Sequence, residues 1–356
     1  MLRPVSLARG VALALCALRA ASPAAAQAVP PRAMPLQTVE VQAPPVPAIA
    51  PAASDTLAAW LRASHPHGPT VSAHRGGVAP GFPENALETF ARTAARVPRV
   101  LLETDVRLTR DSVLVLLHDD GLDRTTTGAG AMADASLDAL RRLALRDPDG
   151  QPTAFRVPTL AEALAWGRGR AVFTLDPKLD VPPRLLVRAV REARAEGYAV
   201  VITYTPEQYA EYVALAPDLV YSVTVDGAAT LDRLLAVPGA NPCRWIAFVG
   251  TDAPNRALNE RLRRLDVRTM QGVFGEAEAD ARAQGPSRLA PLRNAAVDVV
   301  ATGAVDAAAL LPPLPPPKDA SCARPDAPDV LRPAPTHNVL DVADPQRRRS
   351  ARPPGT

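Results

Sequence analysis

Short apolar runs alternate with amphipathic segments along the chain from residue 71 to residue 302. The runs have the length of buried strands, and the segments between them repeat their apolar residues at the period of a helix. Eight runs are therefore predicted to be strands, at 71–74, 101–106, 171–176, 199–204, 219–225, 245–249, 267–270 and 298–301. Eight strands that mostly alternate with helices match an α/β fold of the (β/α)8 TIM barrel type, which usually takes about 250 residues.

The segments around these strands carry helix signals. Helices are predicted at 55–63, 136–143, 158–166, 183–196 and 206–214. Asp55 is expected to cap the first of them, and Pro158 stands near the start of the third. A further helix is predicted to begin at Asn85, with Asn85 as its N-cap and Glu88 reaching back as the capping-box partner.

A ninth apolar run follows the second strand after the charged turn Thr-Arg-Asp-Ser. Four residues are too few for a crossover between parallel strands, so residues 101–118 are predicted to form an antiparallel hairpin with its returning arm at 113–117. Counting back from a turn centred near Asp111 places His118 opposite about Thr104. His118 thus returns to the level of the residues that end the second strand.

Ionisable residues stand at the ends of several predicted strands. In a TIM barrel the C-terminal ends of all strands face one rim, where functional residues collect. The residues concerned are His74, Glu103, Asp105, His118, Asp176 and Lys178. Two imidazoles beside two carboxylates on the same face of a strand indicate acid–base catalysis next to a hard metal ion.

Each of these residues also has a structural explanation when it is taken alone. A single histidine at a strand end is more often a satisfied structural residue, and Glu103 with Asp105 fits the solvated face of an edge strand equally well. Their predicted convergence favours a functional site, because a buried carboxylate pair needs a compensating charge. His65 and His67 form a His-x-His pair beside prolines, which is interpreted as a loop rather than a metal site.

An ordered set of short motifs runs through the same region. The motifs are His-Arg-Gly-Gly at 74–77, Pro-Glu-Asn at 83–85, Glu-Thr-Asp-Val at 103–106, His-Asp-Asp-Gly-Leu-Asp-Arg-Thr-Thr at 118–126, Val-Pro-Thr-Leu at 157–160 and Leu-Asp-Pro-Lys at 175–178. In this order they resemble the glycerophosphodiester phosphodiesterase family, part of the phospholipase-C-like phosphodiesterase superfamily. The resemblance spans most of residues 71–302.

The resemblance implies four roles for the matching residues: an acid–base pair, metal ligands, phosphate contacts and supporting residues at the rim. His74 and His118 would be the acid–base pair, and the metal ligands would be Glu103, Asp105 and Asp176. Arg75 and Lys178 would contact the phosphate, and Glu84 and Asn85 would support the site from its rim. The metal would be one Ca²⁺ or Mg²⁺. One histidine would deprotonate the attacking oxygen and the other would protonate the leaving alkoxide, while the cationic groups neutralise the transition state.

The chain departs from the family's motifs at three places. The third metal ligand is Asp176, where the family usually has glutamate in a Glu-x-Lys motif, although the sphingomyelinase D branch of the superfamily has Asp-x-Lys. The usual Trp-Thr-Val-Asn strand is replaced by Thr-Met-Gln-Gly at 269–272, which is expected to remove an aromatic wall from the alcohol pocket. The usual Thr-Asp near the end of the barrel is Thr-Gly at 302–303.

The function implied by the resemblance is hydrolysis of a glycerophosphodiester to sn-glycerol 3-phosphate and an alcohol. A lysophospholipid or sphingomyelinase-D-like phosphodiesterase is an alternative, and it predicts an apolar groove beside the phosphate site. A non-catalytic, envelope-associated binding protein is a second alternative, which the Pro-rich ends suit. The head group, the metal, a cyclic phosphate intermediate and the oligomeric state stay open.

Proline-rich segments flank the predicted barrel. Arg3 and Arg9 precede a short apolar stretch at 11–18, and Ala-Gln-Ala at 26–28 offers a cleavage site. Together these features are typical of a secretory signal. The predicted domains are a signal peptide at 1–28, a Pro/Ala-rich linker at 29–54, a glycerophosphodiester phosphodiesterase-like TIM barrel at 55–312 and a Pro-rich disordered tail at 313–356.

The composition of the chain limits its possible binding partners and its cellular compartment. The formal net charge of +3 is too small to indicate a nucleic-acid surface. The apolar stretch near the start is too short to span a membrane, so an exported protein, periplasmic or secreted, is expected. Signal cleavage would leave Cys243 and Cys322, and the sequence leaves open whether they pair.

Overall fold

Eight parallel strands close into a barrel, as the alternating pattern predicts. The computed structural model describes residues 54–63, 70–312, 314–315 and 322. Its strands are β1 (Val71–Ala73), β2 (Leu101–Leu108), β3 (Leu114–Leu116), β4 (Val172–Pro177), β5 (Ala199–Thr203), β6 (Val220–Thr224), β7 (Trp245–Phe248), β8 (Arg268–Gly272) and β9 (Val299–Thr302). The ring runs β1-β9-β8-β7-β6-β5-β4-β2 and closes through β1 and β2, with every neighbouring pair parallel. This confirms the TIM barrel.

Helices follow the strands and cover the outside of the barrel. They are α1 (Ser54–Arg62), α2 (Leu87–Arg96), α3 (Leu137–Arg141), α4 (Leu160–Gly167), α5 (Pro183–Glu192), α6 (Pro206–Leu215), α7 (Ala228–Leu235), α8 (Arg256–Arg264), α9 (Glu276–Gln284), α10 (Ala290–Asn294) and α11 (Val305–Ala309). Asp55 lies inside α1 and does not precede it, so its predicted capping role is wrong. The predicted helix at 183–196 ends at Glu192, because Arg194 adopts a left-handed conformation.

Asn85 does not cap α2, so that prediction is wrong as well. The N-cap position is Ala86, which makes no side-chain capping bond. Asn85 has a φ of 57° and turns its amide toward the end of β2 instead. The capping box lies at α4, where Thr159 and Glu162 bond each other's backbone N–H groups.

The predicted hairpin between β2 and β3 is confirmed. The two strands are antiparallel, with Val106 opposite Leu116. Continued for two residues, this register places His118 opposite Thr104, as the count from the turn predicts. The Leu117 N–H donates to the Asp105 carbonyl at 3.2 Å, so the pairing reaches the site.

The segment between β3 and α4 packs on its own small apolar core. Buried side chains of this core include Val115, Leu117, Leu122, Met132 and Leu140. The core rests on the returning arm of the hairpin, because Val115 and Leu117 belong to that arm. The segment is therefore held firmly at the C-terminal rim, next to His118.

Cys243 and Cys322 form a disulfide, with their Cα atoms 5.6 Å apart. Cys243 lies just before β7, at the N-terminal end of the barrel and away from the rim. The predicted signal peptide, nearly all of the predicted linker and nearly all of the predicted tail lie outside the described residues. Within those described residues, no helix combines the length and the apolarity that crossing a bilayer requires.

Candidate active site

A tight turn at the end of β1 presents His74 and Arg75 to the rim. A 3-10 turn, His74–Gly76, follows the strand, and Arg75, Gly76 and Gly77 all have positive φ values of 51°, 87° and 84°. A side chain on Gly76 would collide with the ring of Phe90, so both the backbone conformation and the close approach require glycine there. The Arg75 N–H donates to Glu103 Oε2 at 2.6 Å, which fastens the turn to β2.

Three carboxylates meet at the ends of β2 and β4. Asp105 is paired in register with Asp176, and Glu103 lies two residues before Asp105 on the same face. One carboxylate oxygen from each of the three lies within 4.8 Å of the others. Asp105 and Asp176 are buried, so their charges repel one another with little solvent screening. The group predicted as metal ligands is therefore assembled in space.

Lys178 and Asn85 compensate part of this charge. Lys178 Nζ lies 2.6 Å from Asp105 Oδ1 and 2.6 Å from Asp176 Oδ2. The Asn85 amide donates to Asp105 Oδ2 at 2.7 Å, and its oxygen accepts from the Thr104 hydroxyl and the Asp105 N–H. Asn85 is fully buried, so it supports Asp105 from beneath the rim.

The carboxyl groups respond differently to burial. Burial raises the pKa of Glu103 well above its usual value, and the charges of Asp105 and Asp176 raise it further. Burial also opposes the ionisation of Asp105, but Lys178 and Asn85 hold the pKa of this carboxyl below its usual value. Burial disfavours the ammonium of Lys178 as well, yet Asp105 and Asp176 keep its pKa above the usual value.

One oxygen of this cluster has no partner. Asp176 Oδ1 is buried and accepts no hydrogen bond, while Asp176 Oδ2 is bonded to Lys178. A buried carboxylate oxygen without a donor costs free energy unless a cation lies beside it. Three clustered carboxylates with one orphaned oxygen fit a hard divalent cation such as Ca²⁺ or Mg²⁺, which prefers oxygen ligands.

The two histidines have different surroundings. His74 packs its ring against Phe274, with ring centroids 4.4 Å apart. Burial and the Arg75 charge lower the pKa of His74 to about 4, although Asp105, Glu278 and Glu84 act in the opposite direction. His74 is therefore neutral at neutral pH and able to accept a proton.

His118 is held by a chain of charged groups. Its Nδ1 lies 2.7 Å from Asp119 Oδ1, and Arg124 donates to both oxygens of Asp119. Arg124 also bonds both oxygens of Glu84, which in turn accepts from the Arg75 guanidinium. The bond to Asp119 orients the ring and leaves its other nitrogen for the cavity.

These groups line one side of a cavity of about 310 Å³ inside the barrel mouth. The polar side carries His74, Glu103, Asp105, His118, Asp176 and Lys178. The rest of the lining mixes the apolar Ile202, Phe248, Met270 and Phe274 with the hydroxyl-bearing Ser222, Thr224 and Thr251. Tyr204 lies beside the carboxylates, and burial together with the Asp176 charge raises the pKa of its phenol. A cavity of this size suits a small molecule that has one anionic and one less polar part.

The sequence did not single out Asp119, Arg124, Phe274 or Glu278. Asp119 and Arg124 stand inside the motif at 118–126, so the motif was the available signal for them. The strand at 269–272 carries no aromatic residue, but one reaches the cavity from the loop that follows it. The Phe274 ring, just beyond the replaced strand, lines the cavity and packs on His74.

Glu278 occupies the space above Gly303, the residue that stands where the family usually has aspartate. The Gly303 N–H donates to Glu278 Oε2 at 2.8 Å, and Glu278 also pairs with Arg282 at 2.9 Å. A Cβ on Gly303 would lie 2.5 Å from Glu278 Oε1 and 2.5 Å from the Arg282 guanidinium. A carboxylate from α9 thus reaches the end of β9, and glycine leaves room for it.

Restoring aspartate at this position is expected to destabilise the protein. Gly303→Asp forces Glu278 and Arg282 aside and places two carboxylates together, so the free energy of unfolding should fall by about 1–3 kcal/mol. Urea denaturation measures this change. The double variant Gly303→Asp/Glu278→Ala should recover at least half of the lost free energy. An unchanged free energy of unfolding in Gly303→Asp would contradict the described packing of Glu278 and Arg282 over Gly303.

Comparisons with known proteins find similar sequences and similar structures. The sequence profile of the glycerophosphoryl diester phosphodiesterase family matches residues 74–183. A glycerophosphodiester phosphodiesterase of Caldanaerobacter subterraneus subsp. tengcongensis is 30% identical over 156 residues, which cover 42% of this chain and 63% of that protein. Glycerophosphodiester phosphodiesterase 1 of Homo sapiens is 39% identical over 101 residues, which cover 26% of this chain and 28% of that protein. The chain spans less than two thirds of the length of these curated relatives.

A solved structure extends the similarity to the whole barrel. A glycerophosphoryl diester phosphodiesterase from Parabacteroides distasonis has a TM-score of 0.68 and 28% identity, covering 74% of this chain and 94% of that one. Over residues 74–183 the chain matches the profile of this family, and its barrel resembles this solved structure of a family member. An Oleispira antarctica phosphodiesterase in complex with the product sn-glycerol-3-phosphate shares the fold, with a TM-score of 0.55 and 21% identity over 67% of this chain and 94% of that one.

The residues that line the cavity come from two parts of the sequence. All nine residues predicted for the site lie within residues 74–183, the matched segment. Most of the rest of the lining, from Ile202 to Phe274, comes from the part of the barrel that follows this segment. The part of the chain that matches the family profile therefore supplies the charged residues of the cavity.

Proposed function

We propose that the protein hydrolyses glycerophosphodiesters to sn-glycerol 3-phosphate and an alcohol, using His74 and His118 as the acid–base pair and one bound divalent cation. The observation that carries the proposal is the convergence of both histidines, three carboxylates and Lys178 on one cavity. Support also comes from the family, whose members are phosphodiester hydrolases, and from the product bound to the Oleispira relative.

Glu103, Asp105 and Asp176 would hold the cation, with the orphaned Asp176 Oδ1 among its ligands. When bound, it would supply positive charge to the phosphoryl oxygens. Lys178, now bonded to Asp105 and Asp176, would be released toward the phosphate. Asp176 is one methylene shorter than the family's usual glutamate and would offer the cation the same type of ligand, a carboxylate oxygen.

Arg75 and Lys178 would bind the phosphate, since both reach the carboxylate cluster. One histidine would take the proton of the attacking oxygen, and the other would give a proton to the leaving alkoxide, which is worth about 10²–10⁴ in rate. Asp119 would keep the His118 ring oriented, and Arg124 would fix Asp119. Glu84 would hold Arg75 and Arg124 in place at the rim.

We also propose that the protein is exported and acts in the periplasm or outside the cell. The secretory pattern at residues 1–28 supports this, and so does the disulfide between Cys243 and Cys322. Structural disulfides persist in oxidising compartments and are rare in a reducing cytosol.

An assay of the purified protein on glycerophosphocholine tests the proposed function. We expect release of glycerol 3-phosphate with Ca²⁺ or Mg²⁺, and loss of that release in excess chelator. Unchanged turnover in chelator would remove the cation from the proposal. No turnover of any phosphodiester would favour a non-catalytic binding protein.

A further inference from the structure

A separate pocket of about 220 Å³, called the rim pocket, lies at the C-terminal end of the barrel. Arg92 of α2 and Arg282 of α9 line it, together with the segments that follow β1 and β9. The rim pocket shares no lining residue with the active-site cavity, so the two are different spaces. A water molecule takes up about 30 Å³, so the rim pocket has room for an anion of several heavy atoms.

Arg92 is the cation of the rim pocket that lacks a counter-charge. Its guanidinium lies over the Phe82 ring, with Cζ 5.0 Å from the ring centroid. Among the residues that the structure describes, none forms a hydrogen bond or an ion pair with Arg92. Contact with the face of an aromatic ring holds a guanidinium in place without using its N–H groups. These donors are therefore left for another partner.

The acidic residue of the rim pocket is engaged elsewhere. Asp306 lines the pocket, but its two oxygens accept hydrogen bonds from Arg96, one turn further along α2, at 3.2 and 2.9 Å. Arg96 and Asp306 are both about half exposed, so their pairing is solvated. The charges of this pair cancel each other and leave the charge of Arg92 uncompensated.

Arg282 brings a second guanidinium that is only partly used. Its Nε and Nη2 donate to Glu278 Oε1 at 3.2 and 2.9 Å, and Nη2 also reaches the Val78 carbonyl at 3.4 Å. Its Nη1 has no hydrogen-bond partner in the described part of the chain. Three arginines against the carboxylates of Asp306 and Glu278 leave one positive charge in excess around the rim pocket.

The pKa of Arg92 reflects this excess. Burial lowers it, and the charges of Arg96 and Arg282 lower it further, against the opposing effect of Asp306. Arg92 stays protonated nevertheless, because the usual pKa of a guanidinium lies above about 12. The positive charge therefore persists in unfavourable surroundings, which a bound anion would make favourable.

Gly303 keeps a further carboxylate away from the rim pocket. It lines the pocket at the position where the family usually has aspartate. A Cβ at this position would lie 2.5 Å from Nη2 of Arg282, so an aspartate would bring its negative charge next to that guanidinium. Glycine thus preserves both the free space and the positive potential of the pocket.

We propose that the rim pocket binds a phosphate group, as inorganic phosphate or as a phosphomonoester, between Arg92 and Arg282. The planar fork of N–H donors on arginine matches phosphate oxygens and forms two parallel hydrogen bonds with them. Both guanidinium groups have donors available for these bonds, and the dianion would neutralise the excess positive charge. Binding requires no turnover, so it can be measured independently of the proposed phosphodiesterase function.

Calorimetric titrations with inorganic phosphate and with glycerol 3-phosphate, at constant ionic strength, test this site. Both ligands can also enter the active site, so the rim pocket is measured as the difference between the wild-type protein and Arg92→Gln. We expect a binding component that Arg92→Gln weakens about tenfold or more, because hydrogen bonds between charged groups are lost. Arg188→Gln is the matched control and should bind like wild type, because Arg188 is exposed, pairs with Glu192 and lines none of the described cavities.

Asp306→Asn is expected to change the affinity in the opposite direction. This substitution removes the carboxylate from the rim pocket and releases Arg96 from its ion pair, so phosphate should bind about threefold more tightly or better. Damage to the fold would weaken binding and not strengthen it, so this variant separates the effect of charge from an effect on folding. Thermal unfolding in chloride buffer checks that every variant is folded.

The two ligands identify the source of the phosphate group. Tighter Arg92-dependent binding of glycerol 3-phosphate than of inorganic phosphate would assign the rim pocket to a phosphomonoester, and the reverse order would assign it to the free anion. Equal affinities of the wild-type protein and Arg92→Gln for both ligands would overturn the proposal. An Asp306→Asn protein that binds phosphate no more tightly than wild type would overturn it as well.

Discussion

Replacing His118 with alanine is expected to lower kcat on glycerophosphocholine by about 10²–10⁴-fold. His118 lines the same cavity as His74, and Asp119 bonds its Nδ1, so the ring presents one nitrogen to the substrate. Removing the imidazole leaves the attacking oxygen or the leaving alkoxide without its proton partner, while the carboxylates and Lys178 remain. Steady-state kinetics should show the loss mainly in kcat, since phosphate binding is preserved.

A neighbouring carboxylate offers a matched control. Asp123 lies in the same segment after β3, is exposed, and accepts a bond from the Gly130 N–H. Asp123→Ala should therefore keep nearly full activity. His118→Ala with undiminished kcat, at an unchanged thermal unfolding midpoint, would exclude this histidine from the mechanism.

The location of His118 could be predicted because it depends on local rules. A turn of four residues between two apolar runs allows an antiparallel hairpin and excludes a parallel crossover. The register then follows from the centre of the turn, and the structure has Val106 opposite Leu116, as that count requires. The grouping of Asp105 with Asp176 was predictable for a similar reason, since equivalent ends of parallel strands meet at one rim.

The roles of Phe274 and Glu278 could not be predicted in this way. Phe274 reaches His74 from a loop after β8, and Glu278 reaches Gly303 from α9. Both contacts depend on the path of the chain from β8 into α9, which no periodic pattern specifies. The glycine at 303 was a partial signal, because a missing side chain leaves space that another residue can occupy.

Asn85 shows a tertiary contact overriding a local preference. Asparagine before a helix is a good N-cap by intrinsic preference. In the structure its amide satisfies three polar groups of β2, the Thr104 hydroxyl, the Asp105 N–H and the Asp105 carboxylate. Those groups are buried, so leaving them unpaired would cost more than an uncapped helix end.

Disabling the cation site is expected to have the second large effect. Asp176→Asn keeps the size of the side chain and removes the charge that faces Asp105 and Glu103. Since a bound metal supplies several kcal/mol of charge stabilisation in the transition state, kcat should fall about a thousandfold or more. The variant Asp176→Glu, which restores the family's usual residue, should bind the cation and retain most of the activity.

Thermal and chemical unfolding provide a readout that does not depend on turnover. A cation that binds the native state should stabilise the wild-type protein by about 2.7 kcal/mol when its concentration is 100 times Kd. Asp180→Asn is the matched control, because Asp180 lies four residues further along and pairs with Arg107 outside the carboxylate cluster. Asp180→Asn should gain the same stability from Ca²⁺ or Mg²⁺ as the wild-type protein, and Asp176→Asn should gain almost none. Equal stabilisation of all three proteins would place the cation elsewhere than at Glu103, Asp105 and Asp176, because only one of the two substitutions touches that cluster.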